Sequence, residues 1–306
     1  MPIVTRVAAL TALSALAACG TATTAPEATV TIDVSALLAS LDTYDAVTTD
    51  AQTNTDAALR DDTLPGVTGF MSFSDGTVEP IRVRMSSDAT KAYLSVGGGE
   101  EIELTISSAF PTQLNWTSDE GTVGFQTDTG APSLQIWSQH GEVIGRGYYG
   151  LQSTVADLPS DSATYSGTYF MSGIVTESDG LNSSSGDMTL NVNFADKSLG
   201  GQMDGNLRLP SEFVPVEEYD DFATVYDNYI TGEIDGSIEG NQFVGSIAVT
   251  GAERGSYLQE QRAITGALGI MGAFHSDGNT AAGAFAGTIS ETTMGGLFSL
   301  DRELPE

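Results

Sequence analysis

From Gly66 onward, apolar and polar residues alternate with a period of two. Ile81, Val83 and Met85 are interleaved with Arg82 and Arg84, and Ile102, Leu104 and Ile106 with Glu103 and Thr105. Val123-Gly124-Phe125 and Leu134-Gln135-Ile136-Trp137 continue the pattern. Short alternating runs, separated by turns such as Ser74-Asp75-Gly76 and Gly97-Gly98-Gly99, predict antiparallel strands with one buried face. Ahead of them, Asp33 is placed to cap a short helix whose Leu37, Leu38, Leu41 and Tyr44 are expected to share a face. The stretch from 47 to 63 is polar and acidic and reads as a loop or a weak helix. Residues 32–149 are therefore expected to hold a helix and a small antiparallel sheet.

A break at Leu158-Pro159-Ser160 precedes a second set of strands that is richer in glycine. Eight segments follow in order, from TYSGTYFMSGIV through GDMTLNVNFA to GAFAGTIS and GGLFSLDRE. In MTLNVNF the apolar set is Met188, Leu190, Val192 and Phe194, with Thr189, Asn191 and Asn193 opposite. Short strands with regular turn signals suit a barrel or a sandwich. Glycine inside strands weakens them unless it serves bends or close backbone approach, which favours a tightly curved barrel. Closure also leaves no free edge to aggregate. The fold class expected is mainly β, with an eight-stranded antiparallel β-barrel over residues 150–306.

The N-terminus follows a different pattern. Arg6 precedes an apolar run from Val7 to Ala18 that is too short for a permanent transmembrane helix. A charged start, a short apolar stretch and small residues before a cut site mark a secretory signal. Leu16-Ala17-Ala18-Cys19 resembles the bacterial lipobox, which implies a signal peptide at 1–18 and acylation (palmitate) of Cys19. Cys19 is the one cysteine in the chain, so it has no intramolecular disulfide partner, and lipidation accounts for an exported lone thiol. Two or three acyl chains give stable anchoring. Gly20 after the cysteine, rather than Asp, implies by the same resemblance the outer membrane. Residues 19–31, small and Thr/Ala-rich, read as a flexible tether.

Charge narrows the partners. The chain has 11 basic and 41 acidic residues, a formal net of −30. Such a surface repels nucleic acid and excludes it as a partner. It suits a basic protein, cations, or a salty medium in which self-repulsion is screened.

No catalytic constellation stands out. His140 and His275 sit at expected strand ends, in neither a metal-ligand spacing nor a triad pattern. Asp-Gly pairs read as hairpin turns, and no cofactor or metal is expected. Trp116 and Trp137 are expected to anchor sheet cores. One segment, 211–229, interrupts the rhythm with five aromatics (Phe213, Tyr219, Phe222, Tyr226, Tyr229) among six acids, Glu212, Glu217, Glu218, Asp220, Asp221 and Asp227. Pro210 and Pro215 argue against a regular strand at its start. It is expected to be an inserted loop, either a recognition surface for a basic partner or a lid over the barrel mouth.

Several stretches carry a family resemblance. Residues 150–167, with Asp157-Leu158-Pro159 and Ala163-Thr164-Tyr165-Ser166-Gly167, resemble the opening of the β-barrel in lipoproteins of the transferrin-binding protein B type. GDMTLNVNFADKSLGG, Gly283-Ala284-Phe285-Ala286-Gly287 and the final Gly295 to Arg302 strand are similar to that barrel too, with Ser299 where the family usually has glycine. The resemblance implies a small eight-stranded barrel, often preceded by a handle-like sheet, displayed on the outer membrane by a lipid anchor. Family members bind host proteins or have no known ligand; their binding loops differ most between members and do not carry over.

The function expected is thus a non-enzymatic binding module for a protein or solute ligand, with an outer-membrane receptor as a further candidate partner. The alternatives are a structural or assembly lipoprotein of the envelope, a hydrolase built on His140 or His275, and a barrel holding a small apolar ligand. In that last case Phe194, Phe243 and Met203 are the inward side chains that compete for the interior.

Overall fold

The computed structural model describes residues 32–45, 48, 55–61, 63–110, 113–118, 121–126, 133–140, 143–174, 181–209, 226–252, 263–290 and 292–304. Cys19, the signal segment and most of the 211–229 segment lie outside them.

The short helix α1 (Val34–Leu41) starts where Asp33 accepts a hydrogen bond from the Ala36 amide at 3.1 Å. A side-chain acceptor at that position satisfies one of the amide donors a helix N-terminus leaves free. Leu41 is buried, with Val34 and Leu37 packed beside it, whereas Leu38 faces solvent. Of the face expected from the sequence, Leu37 and Leu41 turn inward and Leu38 does not, while Tyr44, beyond the helix, is half-buried with its hydroxyl 2.7 Å from Ser95 Oγ. A second helix, α2 (Thr55–Leu59), buries Ala58 and Leu59.

The first sheet contains β1 (Val67–Phe73), β2 (Val78–Met85), β3 (Lys91–Val96), β4 (Ile102–Phe110), β5 (Gln113–Ser118), β6 (Gly121–Gln126), β7 (Leu134–His140) and β8 (Val143–Tyr149). It is antiparallel, as the alternation predicts, and it also closes: β8 returns to β1, with Tyr149 opposite Gly69 and Gly145 opposite Phe73. Glycine makes the closing seam possible. A Cβ on Gly69 would stand 2.5 Å from the Tyr149 Cα, and one on Gly147 would stand 2.8 Å from the Met71 Cα. Alternation identifies which face is buried; it carries no signal for whether the first and last strands meet. Trp116, Phe125 and Tyr149 fill this barrel's interior in edge-to-face contacts. Trp137, expected in a core, lies across the wall from Gly124 and is only partly buried.

The second barrel contains β9 (Ser162–Ile174), β10 (Leu181–Asn193), β11 (Ser198–Leu209), β12 (Tyr226–Glu239), β13 (Gln242–Ala252), β14 (Ala263–His275), β15 (Thr280–Ile289) and β16 (Thr292–Arg302). Each strand pairs with the next, and β16 closes on β9. Met188, Leu190 and Val192 point inward, while Thr189 and Asn191 point out. Aromatic rings cover inward glycines: a Cβ on Gly296 would meet the Phe285 ring at 2.5 Å, and one on Gly283 the Phe298 ring at 2.8 Å. Small residues in the wall thus leave space that large rings fill from across the barrel.

The barrels pack side by side. Phe70 and Val78 of the first, Val244, Met271, Ala273, Ala284 and Ala286 of the second, and Leu41 of α1 form one buried cluster. Ser72 donates across this seam to the Gly296 carbonyl at 2.8 Å. Alanines and glycines on the outer wall of the second barrel allow this close approach; a Cβ on Gly295 would sit 2.8 Å from the Phe73 carbonyl oxygen.

Candidate interaction surface

An up-and-down barrel sends alternate connections to opposite rims, so strand bounds alone say where each connector emerges. Turns 194–197, 240–241 and 276–279 lie at one rim of the second barrel. They are tight: Lys197, Gly240 and Gly278 have φ of 54°, 61° and 72°, and Asn193 and Asp196 brace the first turn through two hydrogen bonds. The other rim receives the connectors at 175–180, 210–225, 253–262 and 290–291. In sequence these four hold ten carboxylates against Arg254 and Arg262, while the tight rim holds only Asp196, Asp277 and Lys197. Length and negative charge are concentrated at the same end.

The longest connector leaves β11 at Leu209 and returns at Tyr226, and these two residues are paired across the sheet. Its two ends are therefore anchored on neighbouring, hydrogen-bonded strands. Of the sequence-predicted residues, Phe213, Glu217, Glu218, Tyr219, Asp220, Asp221 and Phe222 lie outside the described residues. The expected loop ends earlier than 229: Tyr226 opens β12 and Tyr229 lies within it. The inward series Ile234 and Ile230 extends back to buried Asn228, so the barrel's period of two claims these positions. Tyr229 points out of the wall, 44% exposed, and its hydroxyl donates to Asp204 at 3.2 Å.

Beneath that rim the outer wall of β10, β11 and β12 carries a polar, acidic face that sequence reading did not single out. Asp187 stands directly opposite Asp204, and Gln202 opposite both Thr189 and Glu233. Like charges in opposed positions disfavour a sheet, so packing gives no reason for the Asp187–Asp204 pair. An open groove of about 470 Å³ runs beside it, lined by Thr189, Asn191, Gly200, Gln202 and Glu233. The signal was present in the outward members of each alternating strand, which are set aside when a core is sought.

Behind this face the interior is occupied. Met203 and Phe243 are fully buried, and Phe194 packs on Phe274 with ring centroids 5.1 Å apart. Tyr169 lies under the wall at Gly186 and Gly205, its hydroxyl 3.0 Å from Ser184 Oγ, and burial raises its pKa. Tyr165 donates to the Gly278 carbonyl at 2.8 Å, and burial pushes its pKa up to about 12.

The histidines do not come together. His140 closes a hairpin opposite Val143 in the first barrel. His275 ends β14 in the second barrel, buried, with Nδ1 2.8 Å from the Leu151 carbonyl oxygen. Burial holds its pKa down at about 4. A base so placed is neutral at pH 7 and is engaged with the main chain. Among the described residues no group of three or more His, Cys, Asp or Glu could hold a metal ion, and no helix is long and apolar enough to cross a membrane.

Comparison with known proteins bears on the second barrel. The family model described as "C-lobe and N-lobe beta barrels of Tf-binding protein B" matches residues 158–304. Among solved structures, isotype 1 transferrin-binding protein B from serogroup B Neisseria meningitidis is similar at 15% sequence identity with a TM-score of 0.41. That match covers 78% of this chain and 44% of the Neisseria chain, so this chain spans less than half of that relative's length. Comparison with curated proteins gives no match. Residues 158–304, an eight-stranded up-and-down barrel with its long connectors at one rim, are thus the part of the chain that is similar to the transferrin-binding protein B β-barrel family.

Proposed function

We propose that this chain is a lipid-anchored outer-membrane lipoprotein that acts as a non-enzymatic binding module. In this reading residues 1–18 are a signal peptide, Cys19 carries the lipid, 19–31 form the tether, and 32–149 and 150–306 form the two folded parts. The observation that carries it is the asymmetry of the second barrel: a filled, closed scaffold with long, acid-rich connectors at one rim and tight turns at the other. A rigid sheet that presents variable connectors is a common platform for recognition. A filled interior favours recognition on the outside over a solute held within.

The relative in Neisseria is named for binding transferrin. For this chain the ligand is read from charge. Ten carboxylates at the rim, with Phe213, Tyr219 and Phe222 in the longest connector, suit a basic, partly apolar protein surface. Tyr229 and Asp204 continue that surface down the wall.

Two substitutions test the reading. Cys19→Ser is expected to abolish incorporation of labelled palmitate and to release the protein from membranes; continued labelling would refute the anchor. Replacing 211–225 with a two-residue turn is expected to abolish capture of the partner cross-linked on native membranes while leaving the melting temperature within about 2 °C. Binding unchanged by that replacement would refute the rim as the recognition site. Recovery of only an outer-membrane barrel assembly partner, unaffected by the replacement, would favour the structural alternative.

A further inference from the structure

The two barrels are joined by Gly150 to Ser153, a segment in which every residue is buried. Buried main-chain polar groups must be paired, and here both barrels supply partners. The Gly150 amide donates to the Thr68 carbonyl at 3.1 Å, and the Ser153 amide to the Phe274 carbonyl at 2.8 Å. Gln152 donates to Thr68 Oγ1 and accepts from Gln242 Nε2, both at 3.0 Å, so one side chain bridges β1 and β13. Asn241 donates to the Ser153 carbonyl at 2.7 Å, and Ser153 Oγ accepts from the Gly278 amide at 2.8 Å.

The Leu151 carbonyl faces His275 Nδ1 at 2.8 Å. Leu151 meets the imidazole and Thr280 stands opposite His275 on β15, while the neighbouring Gln152 links Thr68 of β1 to Gln242 of β13; none of these side chains carries a charge. The carboxylates at this end of the barrel, Asp157, Asp161, Asp196, Glu239, Asp277, Asp301 and Glu303, are exposed, and Arg302 is half-buried.

We propose that His275 is an acid-released latch on the joint between the two barrels. Protonation leaves the Nδ1–H bond to Leu151 intact but places a full positive charge on a buried ring that forms no ion pair among the described residues. The charge is accommodated only when water reaches the ring, and the linker is the element that covers it. Opening therefore begins at Leu151 to Ser153, and the barrels loosen there while each stays folded. Burial, opposed only in part by the Leu151 carbonyl, sets how basic the closed-state ring is. The open-state ring titrates near 6.5, so each pH unit below that value favours opening about tenfold.

Hydrogen exchange on the full chain, corrected for intrinsic rates, tests this at the Ser153 amide. Protection is expected to fall about 40-fold between pH 6.5 and 4.5, while Ile247 in the middle of β13 is unaffected. His275→Asn keeps a donor but cannot titrate, and is expected to flatten the pH dependence. Wild-type protection that is constant down to pH 4, or the same loss in His275→Asn, would overturn the proposal. Where that variant does not fold, the imidazole resonances of the wild type decide: coincident midpoints for His275 titration and Ser153 exchange support the latch. A ring that titrates while Ser153 stays protected refutes it.

Discussion

Removing the ring of Phe243 tests whether the second barrel is a solid scaffold or a container. This side chain is fully buried, lies over Gly272, and meets Phe274 and Phe298 at centroid distances of 5.2 and 6.1 Å. In a close-packed interior Phe→Ala loses the transfer energy of the ring and leaves a cavity, about 3–5 kcal/mol. The two ring contacts place this site in the upper part of that range. For a domain of this size about 4 kcal/mol corresponds to a fall in melting temperature of about 8–16 °C. Calorimetry on the Phe243→Ala protein would measure it. Gly272→Ala supplies the control, because its new Cβ would collide with the Phe243 ring and also stand 2.8 Å from the Ala282 carbonyl oxygen. Combining the two substitutions relieves the first clash and keeps the second. The double mutant should therefore be more stable than additivity allows, by at least about 0.5 kcal/mol. A loss below about 1 kcal/mol for Phe243→Ala, or strict additivity, would refute the packed interior and reopen the case for a ligand inside the barrel.

Three other outcomes follow from the same packing. Phe70→Ala empties the seam between the barrels and is expected to cost about 3–5 kcal/mol; it should also split one calorimetric transition into two, and a single unshifted transition would count against the seam. His275 is kept neutral by burial, with its folded pKa below its unfolded value of 6.5 at about 4. Its contribution, about 3 kcal/mol, is present above pH 6.5 and lost as pH falls towards 4; pH-dependent denaturation of wild type and His275→Asn would show whether that slope belongs to this residue. Tyr169→Phe removes one buried hydroxyl pair with Ser184 and should destabilise by about 1 kcal/mol in urea titration; no measurable change would mean that the pair contributes nothing.

The period-two pattern made much of the fold legible. Met188, Leu190 and Val192 face inward because their neighbours are polar, and Asp33 caps α1 because it precedes the apolar stripe. Closure of the first sheet was not legible. It depends on Gly69 and Gly147 meeting β8 and β1 backbone, contacts between residues far apart in the chain. Trp137 was placed wrongly for a related reason: an outward position opposite a glycine offers a ring partial cover without a core. The start of β12 at Tyr226 was hidden by aromatic and acidic composition, which overrode the weak alternation through Asn228 and Ile230. His275 was legible as a strand end, but not as part of a joint, because its partner Leu151 lies 124 residues away. The acidic outer wall at Asp187 and Asp204 emerged only once the register was known.

Site-specific photo-cross-linking on intact cells tests the binding account most directly, with the reactive group placed at position 217 in the longest connector or at position 240 in a tight turn of the opposite rim. The account predicts a partner adduct from position 217 and none from position 240. Adducts from position 240 alone, or equal yields from both, would contradict it.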